Sequence, residues 1–467
     1  MKSGKRPVLK LPDITAQSLV TVALVSGDLH QAAAVYGIAE PGARHELESI
    51  LFGERRNALT LARWEHTPAA VLQALARLSD NAIRHRLEKN AGTSGRTLSQ
   101  LYQSESNSGL VGLIAQHRHT PATVLESIAA GSQDEAVLKV LATNPSASAK
   151  ALRTLASRRP GEFDGALASH PSAPADLLES LYASGSDYVR AAVVAHLNCR
   201  KRVLAQAAIG GDPLVLRHLA SNPRAPAEIL ARLARNPDAS VRRAVAANPT
   251  LDKGRLAALA DDESEMVRRA VAGRDDLPPA ILARLAKDAD HWVRQRIARQ
   301  PGTPLELLNA LANEDNAEVR RAVARNPKCP ASLLEKLACD THAWVRAAVA
   351  YQPKASPGLM KILSVDKSVD VLSGVAANPH SPQMLIRRLT QSAEADVRRG
   401  VILNPSASRQ TLRLLLQDPY YLHRVLLAGH PALQDEDKWP LHDDPDPTVR
   451  FATMRWFAGK VPAKRRA

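Results

Sequence analysis

The sequence predicts an all-α fold, an α-solenoid of about 15 two-helix repeats of 26 residues with helical caps. Three observations predict it. The first is a fixed period: Asn222, Asn248, Asn326, Asn378 and Asn404 lie at multiples of 26 residues from one another. Arg274, Gln300, Gln352 and His430 fill intervening places, and His196, His170 and Asn144 keep the register backwards. Earlier copies begin near His117, Asn90 and Trp64, with one extra residue placed in the loop 131–134. The second is a proline-opened apolar stripe in each copy. The third is a Val-Arg-x-Ala-Val-Ala segment that ends on Asn-Pro.

Proline stands at the fifth position of many copies, at Pro68, Pro121, Pro174, Pro226, Pro278, Pro304, Pro330 and Pro382. It suits the first helical turn, where φ is preset and the missing N–H has no partner to lose. Behind it run Ile229, Leu230 and Leu233, then Leu307, Leu308 and Leu311, then Leu333, Leu334 and Leu337. Such i, i+1, i+4 positions span a stripe of roughly 100° on a helix. The second segment puts Val241, Ala244 and Val245 on one side, as it does Val319, Ala322 and Val323, and the alanines let helices approach closely. Asp262, Asp288, Asp340, Asp366, Asp418 and Asp444 precede that segment, where a carboxylate would cap the helix or sit in its first turn. Asn-Pro stops the helix, because the residue before proline is pushed out of the α region. Neither helix can bury its apolar face alone, whereas stacked copies form one continuous core.

In chain order, residues 1–63 hold a basic start over 1–12, two helices over 14–38 forming an N-terminal cap, and a degenerate first unit in 44–63. The solenoid spans 64–458. It is looser over 64–220, where Phe163-Asp164 and Val215-Leu216 replace Val-Arg, and tightest over 222–403. Phe451, Trp456 and Phe457 read as residues of the last helix that cover the core, and 459–467 is a short basic tail.

The recurring pattern NP-x-x-P-x-x-L-L-x-x-L-A, followed by D and V-R-x-A-V-A-x-N-P over 64–455, resembles the leucine-rich repeat variant family, a HEAT-like repeat. The resemblance implies a right-handed superhelix whose units each hold one helix that is either α or 3₁₀. The copies here are slightly longer than the family's usual unit, which points to a full α-helix in the first place, as in HEAT repeats. The founding type of the family carries a cysteine-rich iron–sulfur segment. This chain lacks it, so no cofactor is expected.

Composition narrows the function classes. The 467 residues include only three cysteines, Cys199, Cys329 and Cys339, too few for a secreted disulfide scaffold. Cys199 follows His196 as H-x-x-C, but tetrahedral zinc needs about four ligands, so buried structural thiols are expected and no metal. Lys2, Lys5, Arg6 and Lys10 precede a segment with polar breaks rather than a signal peptide, and no stretch reaches the ~20 apolar residues of a membrane span. A cytoplasmic protein is the expectation. The net charge of +15 is compatible with nucleic acid, an anionic membrane or an acidic protein as partner.

Two side-chain series carry the functional question. Arg84, Arg190, Arg242, Arg268, Arg294, Arg320, Arg346, Arg398, Arg424 and Arg450 recur with the repeat. They could form a phosphate-binding ladder. The preferred reading is structural, each guanidinium bonding an Asp or a carbonyl of the neighbouring copy, because Asp recurs at nearly the same period and the planar fork makes several directed bonds. The second series lies on the outward face of the second helix, one residue before the core valine, two after it and six after it. Those positions hold Met266, Arg269 and Gly273, then Trp292, Gln295 and Arg299, then Glu318, Arg321 and Arg325, then Trp344, Ala347 and Tyr351. Arg243 and Arg399 extend the stripe. Trp, Tyr and Arg dominate interface hot spots, so Arg243, Arg269, Trp292, Arg299, Arg321, Arg325, Trp344, Tyr351 and Arg399 are the candidate partner-binding residues. The bland alternative is that Trp292 and Trp344 fill grooves between copies.

No phosphate loop, nucleophile elbow, zinc helix or paired-cysteine motif stands in a convincing context, so no catalytic residue is assigned. His66, His117 and His119 read as turn or core-edge residues. DNA glycosylases on HEAT-like repeats use a Trp-lined cleft with an Asp, and Trp292 with Asp290 or Trp344 with Asp340 could mimic one. The expectation is a non-catalytic scaffold that binds a protein partner along the concave face of the solenoid. The alternative is a nucleic-acid-binding HEAT-like protein, which 3% aromatic content serves poorly for single strands. Partner identity and oligomeric state are not legible.

Overall fold

The computed structural model describes residues 11, 13–103 and 107–461. Among the described residues there are 34 α-helices, two short 3₁₀ helices and no strand. Neighbouring helices pack in sequence, as an α-solenoid requires. No helix among the described residues is long and apolar enough to cross a membrane. The basic start at Lys2, Lys5, Arg6 and Lys10 and the tail beyond Val461 lie outside the described residues.

The copy that begins at Asn222 shows the unit. A turn leads through Pro226 into the seven-residue α-helix Ala227–Leu233. A short loop follows, then the α-helix Ala239–Ala247. The first helix is therefore α, as it is at Leu305–Leu311 and Ala331–Leu337. Leu230, Leu233, Val241 and Val245 are buried, while Ile229 is half-buried.

Two placements differ from the sequence reading. The prolines do not stand in the first helical turn but one step earlier, at the N-cap. Pro226, with φ −57° and ψ 142°, and its seven equivalents all have extended backbone. Proline's fixed φ fits both conformations, and at the N-cap its carbonyl still accepts the first helical bond, from Leu230 N at 3.1 Å. The aspartates are also displaced. Asp262 lies two residues ahead of the N-cap Ser264 and accepts that residue's N–H at 2.9 Å. Its carboxylate thus folds the entry turn and does not cap the helix. Side-chain capping falls instead to residues such as Asp238, Asp290 and Asn316.

The asparagines that mark the register do more than stop a helix. Asn248 Nδ2 donates to Ala220 O at 2.7 Å and to Asn222 O at 2.9 Å, both at the end of the preceding second helix, Pro213–Ser221, and its Oδ1 accepts from Thr250 N. Asn326, Asn378 and Asn404 repeat the arrangement. The last carbonyls of an α-helix have no intrahelical partner, and burying them bare costs about 1–3 kcal/mol each. Each of these asparagines therefore completes the end of the preceding second helix. Where asparagine is replaced, another donor does the same work. Gln300 and Gln352 use a longer amide, the Arg274 guanidinium reaches Ala246 O and Asn248 O, and His117 and His196 use Nε2. His117 is thus a turn residue, as expected.

The described residues group into two compact units, 156–406 and a second made of 1–155 with 407–467. In 156–406 the second helices stack face to face in a single file, from Asp187–Ala195 to Ala395–Leu403. Small residues set the spacing. A Cβ on Gly374 would meet Ala350 Cβ at 2.7 Å, and one on Gly400 would meet Ala376 Cβ at 2.8 Å, so glycine allows the closest approach there.

In the other unit the two predicted N-terminal helices are Ala16–Ser26 and Leu29–Val35. They pack on the final helix Pro447–Lys460 as well as on Pro41–Phe52. Gln31 donates to the His442 carbonyl, and the Trp64 and Phe451 rings meet edge-on at 4.6 Å. Phe451 and Phe457 are buried, as expected of residues closing a core. The sequence contained no sign that the first helices would be what covers the last one.

Candidate partner-binding groove

The arginine series is engaged within the fold. Arg242 Nε and Nη2 bond the two carboxylate oxygens of Asp262 in the next copy at 2.7 and 2.9 Å, while Nη1 donates to Asn236 O and Pro237 O. The pattern recurs for Arg268 with Asp288, Arg294 with Glu314, Arg320 with Asp340, Arg346 with Asp366 and Arg424 with Asp444. Arg450 ends the series on Asp28, from the N-terminal helices, with Nη2 at 2.7 Å. Asp28 thus stands where the next copy's aspartate would stand. Burial alone would raise the carboxyls of Asp262 and Asp340, but the arginine bonds and a backbone N–H outweigh it and hold both below the ordinary value. Arg398 keeps the carbonyl half of the pattern, with Nη1 donating to Ser392 O and Ala393 O at 2.8 Å, while Arg190 and Arg84 depart from it. Arg190 bonds Tyr182 O and its own turn's Asp187, and Arg84 Nε is buried without a hydrogen-bond partner.

The second series lies at the surface. Trp292 is 47% exposed, Trp344 48% and Tyr351 53%. His291 packs at 5.1 Å on the Trp292 ring and His342 stacks at 5.4 Å on that of Trp344. Arg243, Arg299, Arg325 and Arg399 also reach the surface. Arg269 and Arg321 are half-buried. Arg269 Nε bonds Asp290 at 2.5 Å, and Arg321 lies 3.4 Å from Glu318. Arg299, Arg321 and Arg325 crowd one another. Partial burial and then these like charges lower the Arg325 guanidinium below its ordinary value.

Tertiary packing adds a groove that the repeat phase alone did not reveal. The helices Pro213–Ser221, Ala239–Ala247, Glu265–Ala272 and His291–Arg299 together enclose about 540 Å³. Arg217, Arg243, Arg269 and Arg296 line it, with His218 and Met266, and no carboxylate does. Arg217 and Arg243 have no ion-pair partner among the described residues. Arg296 donates to the Arg269 carbonyl at 3.4 Å and has no ion-pair partner among the described residues. Of the candidate residues, Arg243 and Arg269 enter this groove. Trp292, Arg321, Trp344, Tyr351 and Arg399 continue the same helix face in later copies.

Sequence reasoning missed Arg217, His218 and Arg296. The signal for Arg217 was available, since it follows Val215 by two residues as Arg243 follows Val241. The leucine after Val215 made that copy look degenerate. Arg296 occupies a position that is alanine in the neighbouring copies, so only packing could place it. A second hollow of about 570 Å³ adjoins the first through His218, with Tyr188, Leu197 and Leu214 on its walls. Tyr188 is 80% exposed and Leu197 56%, so this part is apolar and open.

The carboxylates that a glycosylase-like cleft would use are already committed. Asp290 caps Trp292 N and bonds Arg269, while Asp340 bonds Arg320 and His342 N. His196 of the H-x-x-C pair gives Nε2 to the His170 carbonyl at 2.9 Å. No group of three or more His, Cys, Asp or Glu that could hold a metal occurs among the described residues. Cys199 and Cys329 are buried, and burial pushes both thiols up to about 11.

Residues 136–197 match the Leucine Rich Repeat Variant domain. The match falls on copies of the recurring motif, which resembles that family. No curated protein matches the chain. Solved structures similar to it include an engineered protein from the Northeast Structural Genomics Consortium, 13% identical, with 97% of this chain and 100% of that one covered. Its TM-score of 0.16 is too low to carry any argument about this chain.

Proposed function

We propose that this protein is a non-catalytic, cytoplasmic scaffold whose second-helix face in 156–406 docks a protein partner. The observation that carries the reading is the convergence of Arg217, Arg243, Arg269 and Arg296 on one groove, on the face that goes on to expose Trp292, Trp344 and Tyr351. Large rigid aromatics beside arginine supply contact area at little entropic cost, together with directed bonds to acidic or carbonyl groups. The ladder from Arg242 to Arg346 does not compete for a partner, because its guanidiniums are bonded internally.

The test is affinity capture from a lysate, treated or not with nuclease, with wild type and with Trp292→Ala, Arg321→Ala and Trp344→Ala combined. Circular dichroism checks that the variant is folded. The bound protein should fall by about tenfold or more. Equal recovery by the folded triple variant overturns this face as the docking site. A second reading, binding to duplex nucleic acid, is favoured by the four arginines that line the groove, whose charge is offset only in part. It requires retention of duplex DNA at low salt and a steep loss as salt rises.

A further inference from the structure

We infer that the partner segment seated in this groove is a chain in the polyproline-II conformation, carrying an acidic residue at every third position and an apolar residue at one end. The inference rests on the protein-docking reading above and gives its occupant a chemistry.

The argument starts from spacing. Arg217, Arg243 and Arg269 occupy one position in three consecutive copies, 26 residues apart. Their helices are stacked neighbours, and packed helices lie ~8–10 Å apart. A polyproline-II chain rises ~3.1 Å per residue with about three residues per turn, so every third side chain returns to the same face after ~9 Å. One guanidinium per copy therefore meets one side chain in every three of such a chain. Arg296, in the fourth copy, lines the same groove and lengthens the run.

Charge fixes the sign of the occupant. Four arginines line the groove without a carboxylate among the lining residues, and Arg217 and Arg243 have no ion-pair partner among the described residues. Asp290 and Glu265 pair with Arg269, and Asp238 lies close enough to Arg217 to feel its charge, so the groove is offset only in part. Carboxylates of a bound chain can take the guanidinium fork with two parallel bonds. The far end of the groove changes character. Beyond His218 the walls are Tyr188, Leu197 and Leu214, which suit an apolar side chain and would leave a fourth acidic group unpaired. A uniformly charged backbone such as a nucleic-acid strand does not match that change.

The test uses the full chain and labelled synthetic peptides read by fluorescence anisotropy. One peptide has aspartate at every third position and a terminal phenylalanine. A second has the same composition with its aspartates adjacent, and a third lacks the phenylalanine. The in-register peptide should bind most tightly, about tenfold better than the clustered one. The double substitution Arg217→Glu with Arg243→Glu should weaken it by about tenfold or more, while Lys287→Glu, outside the groove, should leave it unchanged. Equal binding of the in-register and clustered peptides overturns the spacing argument. No loss in the double variant overturns the site. If no acidic peptide binds while the captured partner still depends on Trp292 and Trp344, the inference fails and the docking reading stands. If duplex DNA binds more tightly than every peptide through the same arginines, both fail.

Discussion

Replacing Arg320 by alanine should unfold part of the array, not trim its surface. Arg320 bonds both oxygens of Asp340 in the next copy at 2.6 and 2.9 Å, and its Nη1 donates to Glu314 O and Asp315 O at 2.7 and 2.8 Å. The two side chains are only 13% and 6% exposed. The substitution leaves a buried carboxylate without its cation and two carbonyls without a donor. Breaking a buried pair from one side costs about 3–5 kcal/mol, and the partly open rim places this case near the lower end. The exposed pair Arg255–Asp252, at 47% and 50%, should cost far less when broken. Repeat arrays do not unfold as one unit, so the readout is hydrogen exchange of the amides in Ala317–Arg325 and Ala343–Ala350. A cost of about 3 kcal/mol lowers protection there by roughly 100-fold or more. A drop below about fivefold in Arg320→Ala would refute the ladder as a stabilising device. The pH dependence has a definite sign. The folded Asp340 carboxyl is held below its ordinary value, because the Arg320 bond and the His342 N–H outweigh burial. Its contribution is therefore present above the unfolded value of about 3.9 and is lost as pH falls through the folded one. The advantage of wild type over Asp340→Asn should shrink below about pH 4.

Three further outcomes are expected. Asn326→Ala removes two bonds to the buried carbonyls of Ala298 and Gln300 and should destabilise that region by about 2–3 kcal/mol in local exchange, whereas Asn326→Gln should keep most of the stability because Gln300 and Gln352 fill the same role. Arg450→Ala, or Asp28→Asn, should free the helices Ala16–Ser26 and Leu29–Val35 to proteolysis while leaving cleavage within 156–406 unchanged. Equal protection of those helices in both variants would show that apolar packing alone holds them. At pH 8 an aqueous thiol reagent should label Cys339, which is exposed, and spare Cys199 and Cys329 in the folded chain. Rapid reaction of a second thiol, seen by mass spectrometry, would contradict the burial of those two.

The repeat period, the helical pairing and the buried faces were all legible before any coordinates, because each is a local pattern that the solenoid repeats. A residue such as Val245 or Leu230 declares its side of a helix through its neighbours in sequence. The structural role of the arginine ladder could also be read, from Asp recurring in step with Arg. What the pattern could not supply was every contact whose partner lies elsewhere in the array. Asn248 reads as a helix stop, yet its amide completes the end of the preceding second helix, Pro213–Ser221. Pro226 reads as a first-turn residue, yet it stands one place earlier, since its fixed φ allows either. The cationic groove needed packing to bring Arg217 and Arg296 beside Arg243 and Arg269, and the seating of Asp28 on Arg450 joins residues 422 apart. A periodic sequence specifies how a unit meets its successor, because that contact is chosen again in each copy. Contacts made once carry no period, and only the folded chain decides them.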